Sequence, residues 1–288
     1  MPETDLPSRA IVLCADDYAL SEGVDRAILD LAAAGRLTAI GCLVQSPRWP
    51  AAARALAPLH EHVDIGLHFN LTEAFGGAWR RGLPQILAAS QLRLLPAASI
   101  RASLEAQLDA YTAALQKPPD YVDGHRHVHQ LPQIRDLLLE SLERRGWRPW
   151  LRVTAPLVAA DDASAFKARF IAALGARQLA ARCRHASWPH NPAFTGIYGF
   201  NADVPGYLAL LQSWFARIPA DTLFMCHPGA DPTPLAVDPI APARLVEYEA
   251  LRSADFTRLL ARLKLHPATG RSRYALPLAA AAEIPPVS

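Results

Sequence analysis

Four short segments of the sequence end in aspartate or histidine directly after a short run that reads as a buried strand. These residues are Asp16, Asp17, His68, His125 and His227, which follow the runs IVLCA, VDIGL, YVDG and LFMC. Two imidazoles and one carboxylate can hold a divalent cation and still leave coordination positions for water and substrate. A cation held in this way activates water and polarises a carbonyl oxygen. The residue types therefore predict metal-assisted hydrolysis.

The adjacent aspartates allow two roles at such a site. One carboxylate can bind the cation while its neighbour takes a proton from the attacking water, and the nearby positive charge keeps that second carboxylate ionised. The simpler interpretation is that Asp16 and Asp17 only cap a helix, because carboxylates stabilise helix N-termini. In the same way, a lone histidine such as His68 is often a buried structural side chain.

The cluster DGHRHVH (residues 123–129) is the strongest local pattern. On a strand or extended segment, His125, His127 and His129 point the same way, since side chains alternate with a period of two. Three unpaired imidazoles on one face are costly unless they bind something. The cluster therefore predicts metal binding, and the spare imidazoles leave open whether His127 or His129 also binds metal or substrate.

The elements before these residues must position them. Strands are predicted at the apolar runs 10–15, 38–44, 63–71, 121–125, 150–154 and 221–227. Helices are predicted around 24–31, 100–115, 134–142, 163–182, 243–251 and 254–263, the first with Ser21 as its N-cap and Gly35 as its stop. The alternation favours a (β/α) barrel-like α/β fold, with mostly parallel strands and surrounding helices, over an open sheet. We expect one domain over 1–288, with a core of about 10–265 and two tails. Since the carboxyl ends of parallel strands share one rim, the polar residues should meet there.

Composition excludes several other functions. The chain has 288 residues, of which 51% are hydrophobic and 19% charged, and its formal net charge is +2. The basic residues form no block, so we expect no nucleic-acid partner. No apolar stretch reaches the length of about 18 residues that a membrane span needs, and no secretory signal is visible. These features predict a cytoplasmic protein with four reduced cysteines, three of which lie in or beside apolar runs and pack as small hydrophobic groups. They leave a homo-oligomer open.

Four ordered motifs resemble a known family. CADDYALSEGVDRAI, DIGLHFNLT, DGHRHVHQLPQI and MCHPG are similar to the motifs of the YdjC-like family, which includes the chitooligosaccharide deacetylases. The resemblance covers residues 10–260. It implies a (β/α) barrel-like fold, one divalent cation that is usually magnesium, and hydrolysis of the acetyl group of an N-acetylated sugar.

The resemblance also implies roles for individual residues. Asp16 would be the base, and Asp17, His68 and His125 would hold the cation. His227 would assist the leaving group, and Arg152 would orient the base. Two nitrogen ligands favour zinc or another transition metal over magnesium, which prefers oxygen, so the metal stays open.

The chain departs from the family pattern at two places that bear on the substrate. Tyr18-Ala19 stands where Phe-Gly is usual, and Gly124-His125-Arg126 replaces a serine-containing motif. We expect substrate choice to depend on 72–99 and 186–205. Two other functions remain open: a metal-dependent phosphoesterase or aldolase on the same ligands, and a non-catalytic metal- or sugar-binding protein.

Overall fold

A parallel β-sheet forms the centre of this computed structural model, which describes residues 7–73, 75, 82–155, 172–232 and 238–275. The strands within these residues are β1 (Arg9–Tyr18), β2 (Ala39–Cys42), β3 (Asp64–Phe69), β4 (Tyr121–Gly124), β5 (Trp150–Leu151), β6 (Ala193–Thr195), β7 (Thr222–Cys226) and β8 (Leu265–Pro267). Their order is β5-β4-β3-β2-β1-β7-β6, and β8 pairs with the start of β1. Every pairing is parallel.

Helices connect and cover the strands. They are α1 (Glu22–Ala33), α2 (Trp49–Ala55), α3 (Leu83–Gln91), α4 (Ala97–Leu115), α5 (Ile134–Arg144), α6 (Arg177–His185), α7 (Val204–Phe215), α8 (Ala241–Arg252), α9 (Ala254–Arg262) and α10 (Gly270–Arg273). As expected, the Ser21 side chain caps α1 by accepting from the Val24 backbone N–H at 3.3 Å. Gly35 follows the helix with φ of 68°, which is the left-handed stop that glycine favours.

The sheet curves into the expected barrel-like shape. Apart from the partly exposed Arg9 at the start of β1, strands β1 to β4 and β7 are buried along their lengths, as in a parallel sheet covered on both faces. The two ends of the strand order come close together. Leu151 of β5 forms a parallel bridge with His190, three residues before β6, and its N–H donates to the Pro189 carbonyl at 2.8 Å.

A glycine and an aromatic stack fix the spacing of β3 and β4. Tyr121 stacks on Trp150 with ring centroids 4.1 Å apart. The Tyr121 ring passes so close to Gly66 that a Cβ at that position would lie 2.3 Å from it. Only glycine therefore fits at this point of β3, and the strand carries His68 two residues further on.

The apolar pattern of the sequence does not predict the whole sheet. It does not predict β6 and β8, because three residues are too few to show a recognisable apolar pattern. Strand β5 is shorter than the predicted 150–154. The helix predicted at 163–182 lies partly outside the described residues, and the described part begins with a π-helical turn at Ala172–Ala176 before α6. None of the helices described is long and apolar enough to cross a membrane.

Candidate active site

The end of β1 carries two adjacent aspartates whose side chains contact different partners. The pairing of β1 with β2 shifts register between Ala15 and Tyr18, and Asp17 adopts a φ of 69°. A left-handed backbone at a residue other than glycine is uncommon and is found mostly where the surrounding structure requires it. Both carboxylates are buried, with exposures of 2% for Asp16 and 1% for Asp17.

Asp17, His68 and His125 form a group with the spacing of metal ligands. One ligand atom from each lies within 4.8 Å of the others. Asp17 Oδ1 is 2.8 Å from His125 Nδ1 and 3.4 Å from His68 Nε2. The two imidazole rings meet edge to face, with centroids 5.5 Å apart. This donor set of two nitrogens and a carboxylate fits one divalent cation.

A second carboxylate orients each histidine. Asp123 Oδ1 lies 2.7 Å from His68 Nδ1, and Glu73 Oε1 lies 3.1 Å from His125 Nε2. Each ring therefore uses one nitrogen outside the group and turns the other nitrogen toward Asp17. This carboxylate–histidine arrangement is characteristic of metal sites, where it sets the tautomer and the ring orientation.

Sequence reasoning assigned no role to these two carboxylates. Asp123 lies two residues before His125, and this spacing could have identified it as part of the site. No sequence pattern identifies Glu73, because its position depends on hydrogen bonds made by the buried Asn70. Asn70 Oδ1 accepts from the backbone N–H groups of Thr72 and Glu73 at 2.9 and 2.8 Å, and Gln107 Nε2 donates to the Asn70 carbonyl at 2.9 Å. The turn after β3 thus brings Glu73 against His125.

The carboxylates around His68 and His125 concentrate negative charge, which requires positive charge nearby. Burial opposes the ionisation of Asp17, but His125 and Arg244 hold its pKa well below the usual range. Burial also opposes a charge on His68, yet Asp123 and Asp16 raise its pKa to about 10. A proton on His68 therefore offsets part of the negative charge of these carboxylates. A divalent cation would supply positive charge in its place and displace that proton.

Arg152 holds Asp16 in place. Its Nη1 and Nη2 donate to the two oxygens of Asp16 at 2.6 and 2.5 Å, and Nη2 also lies 2.7 Å from Asp123 Oδ2. Burial opposes the ionisation of Asp16, but the guanidinium of Arg152 holds its pKa below the usual value. Asp16, His68 and Asp123 also have metal-ligand spacing. Because Arg152 already contacts both carboxylates, positive charge is present there without a second cation.

His227 lies beside Asp16 at the end of β7. Its Nε2 is 3.9 Å from Asp16 Oδ2, and its ring meets Phe200 edge to face at 5.4 Å. Burial lowers the pKa of His227 to about 4, against the opposing effect of Asp16 and Asp17. The imidazole is therefore neutral near pH 7, and its protonation requires a proton donor close by.

The expectation that three histidines share one face is wrong. Residues His125–Gln130 form a 3₁₀ turn in which Arg126 and His127 have φ of 52° and 60°, so the alternation of an extended segment does not apply. His129 points to the Arg152 carbonyl, to which its Nε2 donates at 2.8 Å. His127 lines the cavity but does not belong to a described group with metal-ligand spacing.

Arg244 is the residue near Asp17 that sequence reasoning missed. It lies in α8, and its Nη2 donates to Asp17 Oδ2 at 2.7 Å while its Nε donates to Asp238 Oδ2 at 2.6 Å. Asp17 Oδ2 is therefore engaged, and Oδ1 faces the two histidines. An arginine within an ordinary helical pattern carries no signal of such a role.

The site opens into a cavity of about 550 Å³. Asp16, Asp17, His68, His125 and His227 line it. Much of the remaining wall is apolar and includes Leu20, Leu83, Leu87, Ile197, Phe200 and Ile240. Both segments expected to select the substrate contribute to this wall, although 74 and 76–81 lie outside the described residues.

The four cysteines are free, as expected, and all four of them are buried. Burial raises the pKa of Cys14 and of Cys226 well above the usual range. Cys14 Sγ accepts from Arg152 Nη2 at 2.9 Å. These thiols are therefore packing groups behind the site and poor nucleophiles.

Fold and site together define an α/β barrel-like protein whose strand ends carry a buried aspartate and two histidines that fit a divalent cation. The chain belongs to the YdjC-like protein family, whose model matches residues 10–262. This match confirms the resemblance seen in the four sequence motifs.

Named relatives support the family membership. The chain is 26% identical over 268 residues to a chitooligosaccharide deacetylase of Yersinia pestis (strain Pestoides F), which covers 88% of this chain and 95% of that protein. It is 32% identical over 158 residues to a human carbohydrate deacetylase, but this match spans 49% of this chain and only 48% of the human protein. A crystal structure from Enterococcus faecalis V583, provisionally named a cellobiose-phosphate cleavage protein, superimposes with a TM-score of 0.67 at 16% identity. It covers 93% of this chain and 100% of that chain, and shows that the two share a fold.

Proposed function

We propose that the protein is a metal-dependent hydrolase that removes the acetyl group from an N-acetylated sugar. The observation that carries the proposal is the separation of two adjacent aspartates: Asp17 faces His68 and His125, whereas Asp16 is held by Arg152 beside His227. Relatives named as carbohydrate and chitooligosaccharide deacetylases support the choice of substrate.

Asp17, His68 and His125 would hold the cation. When bound, the cation supplies Lewis-acid activation of water and of the acetyl carbonyl. The resemblance suggests magnesium, whereas two imidazole ligands favour zinc or another transition metal. The other side chains of the site carry out the proton transfers. We propose that the enzyme is cytoplasmic.

Asp16 accepts the proton of the attacking water. Its two hydrogen bonds from Arg152 keep the carboxylate ionised and fix its direction. General-base help of this kind contributes about 10²–10⁴-fold in rate. Arg152 acts through Asp16 and is thus a positioning residue in this scheme.

His227 delivers a proton to the departing amine. Because its imidazole is neutral near pH 7, it must first receive the proton that it gives. Asp16 Oδ2, which lies 3.9 Å from His227 Nε2, is a source at the right place. One proton then travels from water to Asp16, to His227 and to the nitrogen, and each side chain returns to its starting state.

A two-metal phosphoesterase and a non-catalytic binding protein fit the geometry less well. Two-metal sites hold their metals about 3.5–4 Å apart. The second group with metal-ligand spacing, Asp16, His68 and Asp123, already has both of its carboxylates in contact with Arg152. A non-catalytic metal- or sugar-binding protein would leave the buried pair of Asp16 and Arg152 without a purpose.

A substrate panel tests the proposal. The purified protein, supplied in turn with zinc, cobalt, manganese and magnesium, is assayed for amine release from N-acetylglucosamine and its short oligomers. Phosphate esters are assayed in parallel, and Asp16→Asn is the control for contaminating activity. We expect metal-dependent amine release that the variant lacks. Turnover of phosphate esters alone would contradict the proposal.

A further inference from the structure

Glu247 is a buried acid that the proposed chemistry leaves unused. It lies in α8, one turn after Arg244, and its exposure is 0%. Its Oε2 accepts from the backbone N–H of His227 at 2.5 Å, and its Oε1 accepts from the Tyr198 hydroxyl at 2.8 Å. Burying a carboxyl group is costly unless its oxygens are engaged. These bonds hold it directly behind His227.

The ring of His227 lies between two carboxylates. On one side its Nε2 faces Asp16 Oδ2 at 3.9 Å, and on the other its Nδ1 lies 4.0 Å from Glu247 Oε1. Nδ1 is buried and has no hydrogen-bond partner in the part of the chain that the structure describes. A modest rotation of the ring would bring Nδ1–H onto Glu247.

We propose that Glu247 is the positioning residue of His227. It accepts the Nδ1–H, which leaves the Nε2 lone pair facing the reacting centre, and it stabilises the imidazolium that forms while His227 carries the proton in transit. The proton moves from Asp16 to Nε2 and then to the leaving nitrogen, and Glu247 itself neither gains nor loses one. This inference rests on the proposed function, because it concerns the same site.

The surroundings of Glu247 fit this role. Burial raises the pKa of Glu247 to about 7, so the carboxylate form that accepts Nδ1–H predominates above that pH, and burial lowers the pKa of His227 to about 4. An ion pair between them is favoured once the proton reaches His227. The other titratable or charged groups near Glu247 are Arg244 on its own helix, Asp16 on β1, Tyr198 after β6, Tyr207 on α7 and Cys226 on β7.

Glu247→Gln is the discriminating variant. The amide has a single oxygen, which must stay with the His227 backbone N–H, so its NH₂ group takes the place of Oε1. There it donates to Nδ1 and moves the imidazole proton to Nε2, the nitrogen that must accept. We expect kcat to fall by about 10–100-fold, by analogy with the loss of a hydrogen-bonded partner of a metal-ligating histidine. KM should not change, because Glu247 does not line the cavity.

Glu249→Gln is the matched control. Glu249 lies on the same helix but is about half exposed and pairs with Arg252 at 3.1 Å. The same chemical change there should leave kcat, KM and the pH profile of kcat as in the wild type. In Glu247→Gln, the part of the kcat pH profile that reports the ionisation of His227 should shift along the pH axis.

A spectroscopic readout separates this inference from the proposed function. The ¹⁵N spectrum of histidine-labelled protein, assigned with His227→Gln, should show the proton of His227 on Nδ1 in the wild type and on Nε2 in Glu247→Gln. This result does not depend on any substrate and holds even if the protein deacetylates nothing. Where the glutamine variant does not fold, Glu247→Asp draws the carboxylate away from Nδ1 and should lower kcat without changing KM. An unchanged tautomer, or a variant with wild-type kcat and pH profile, would overturn the inference.

Discussion

Replacing Asp16 by asparagine tests the central step of the mechanism. In the wild type, Arg152 donates to both oxygens of Asp16, at 2.6 and 2.5 Å. Asparagine keeps one acceptor, and its amide N–H faces the guanidinium, which leaves a buried donor unpaired at a cost of about 1–3 kcal/mol. Arg152 keeps its contact with Asp123 at 2.7 Å, so we expect a folded protein that unfolds at a somewhat lower temperature.

The rate should fall far more than the stability. Loss of general-base help lowers kcat by about 10²–10⁴-fold, which corresponds to about 3–5 kcal/mol of activation free energy. KM and metal content should stay unchanged, because Asp17, His68 and His125 remain. The assay combines the kinetics of amine release with metal content by mass spectrometry and thermal unfolding of the same preparation.

The neighbouring substitution should fail in another way. Asp17→Asn removes a charged ligand, so it should weaken metal binding, and added metal should restore part of the activity. The asparagine at 17 has the same size and sits one residue away, which makes it a matched control for local disturbance. If Asp16→Asn hydrolyses acetylated sugars at nearly the wild-type rate, the mechanism is wrong and the pair is only a helix cap beside a metal site.

Three further predictions concern the metal ligands, the thiols and stability. His125→Ala should abolish binding of a divalent cation in calorimetry while His127→Ala should not; full occupancy in the first variant would refute the ligand set. Changing Cys14 and Cys226 to alanine together should preserve metal binding and most of kcat, and complete loss of activity with metal still bound would show that a thiol takes part. Burial raises the pKa of Asp64 to about 6, above its unfolded value of 3.8, so the folded state binds this proton more tightly. That contribution, about 3 kcal/mol from about 1.4 kcal/mol per pKa unit, is present below pH 3.8 and is lost as the pH rises to about 6. Asp64→Asn should remove this component from the free energy of unfolding measured by urea denaturation over that range, and an identical pH dependence in both proteins would exclude the buried acid as its origin.

Local patterns were enough to place the main elements. The Ser21 cap, the Gly35 stop and the strands before Asp16, His68 and His227 all depend on residues that are close in sequence. Capping, left-handed stops and buried apolar runs are local effects, so the sequence states them directly. Parallel pairing then requires the carboxyl ends of the strands to lie at one edge of the sheet. For this reason the sequence alone predicts that the candidate residues lie close together.

The histidine cluster shows where local reasoning fails. His125, His127 and His129 would share a face only on an extended backbone, but Arg126 and His127 adopt positive φ. A Cβ on Gly124 would lie 2.9 Å from the His129 backbone nitrogen. The turn therefore depends on a close approach of backbone to backbone that residue types alone do not reveal.

Apart from the pairing of Arg152 with Asp16, which the family resemblance implied, the tertiary structure alone decided which side chains contact each other. Arg152 reaches Asp16 across 136 residues of sequence, Glu73 reaches His125 across 52, and Glu247 reaches the His227 backbone across 20. Arginine and glutamate are common on helices and in turns, so their presence carries no sign of a partner. Whether such a side chain is a solvated charge or holds a functional group depends on burial and on the direction of a few bonds. Both depend on how distant elements pack, and a sequence records only the residues that can pack there.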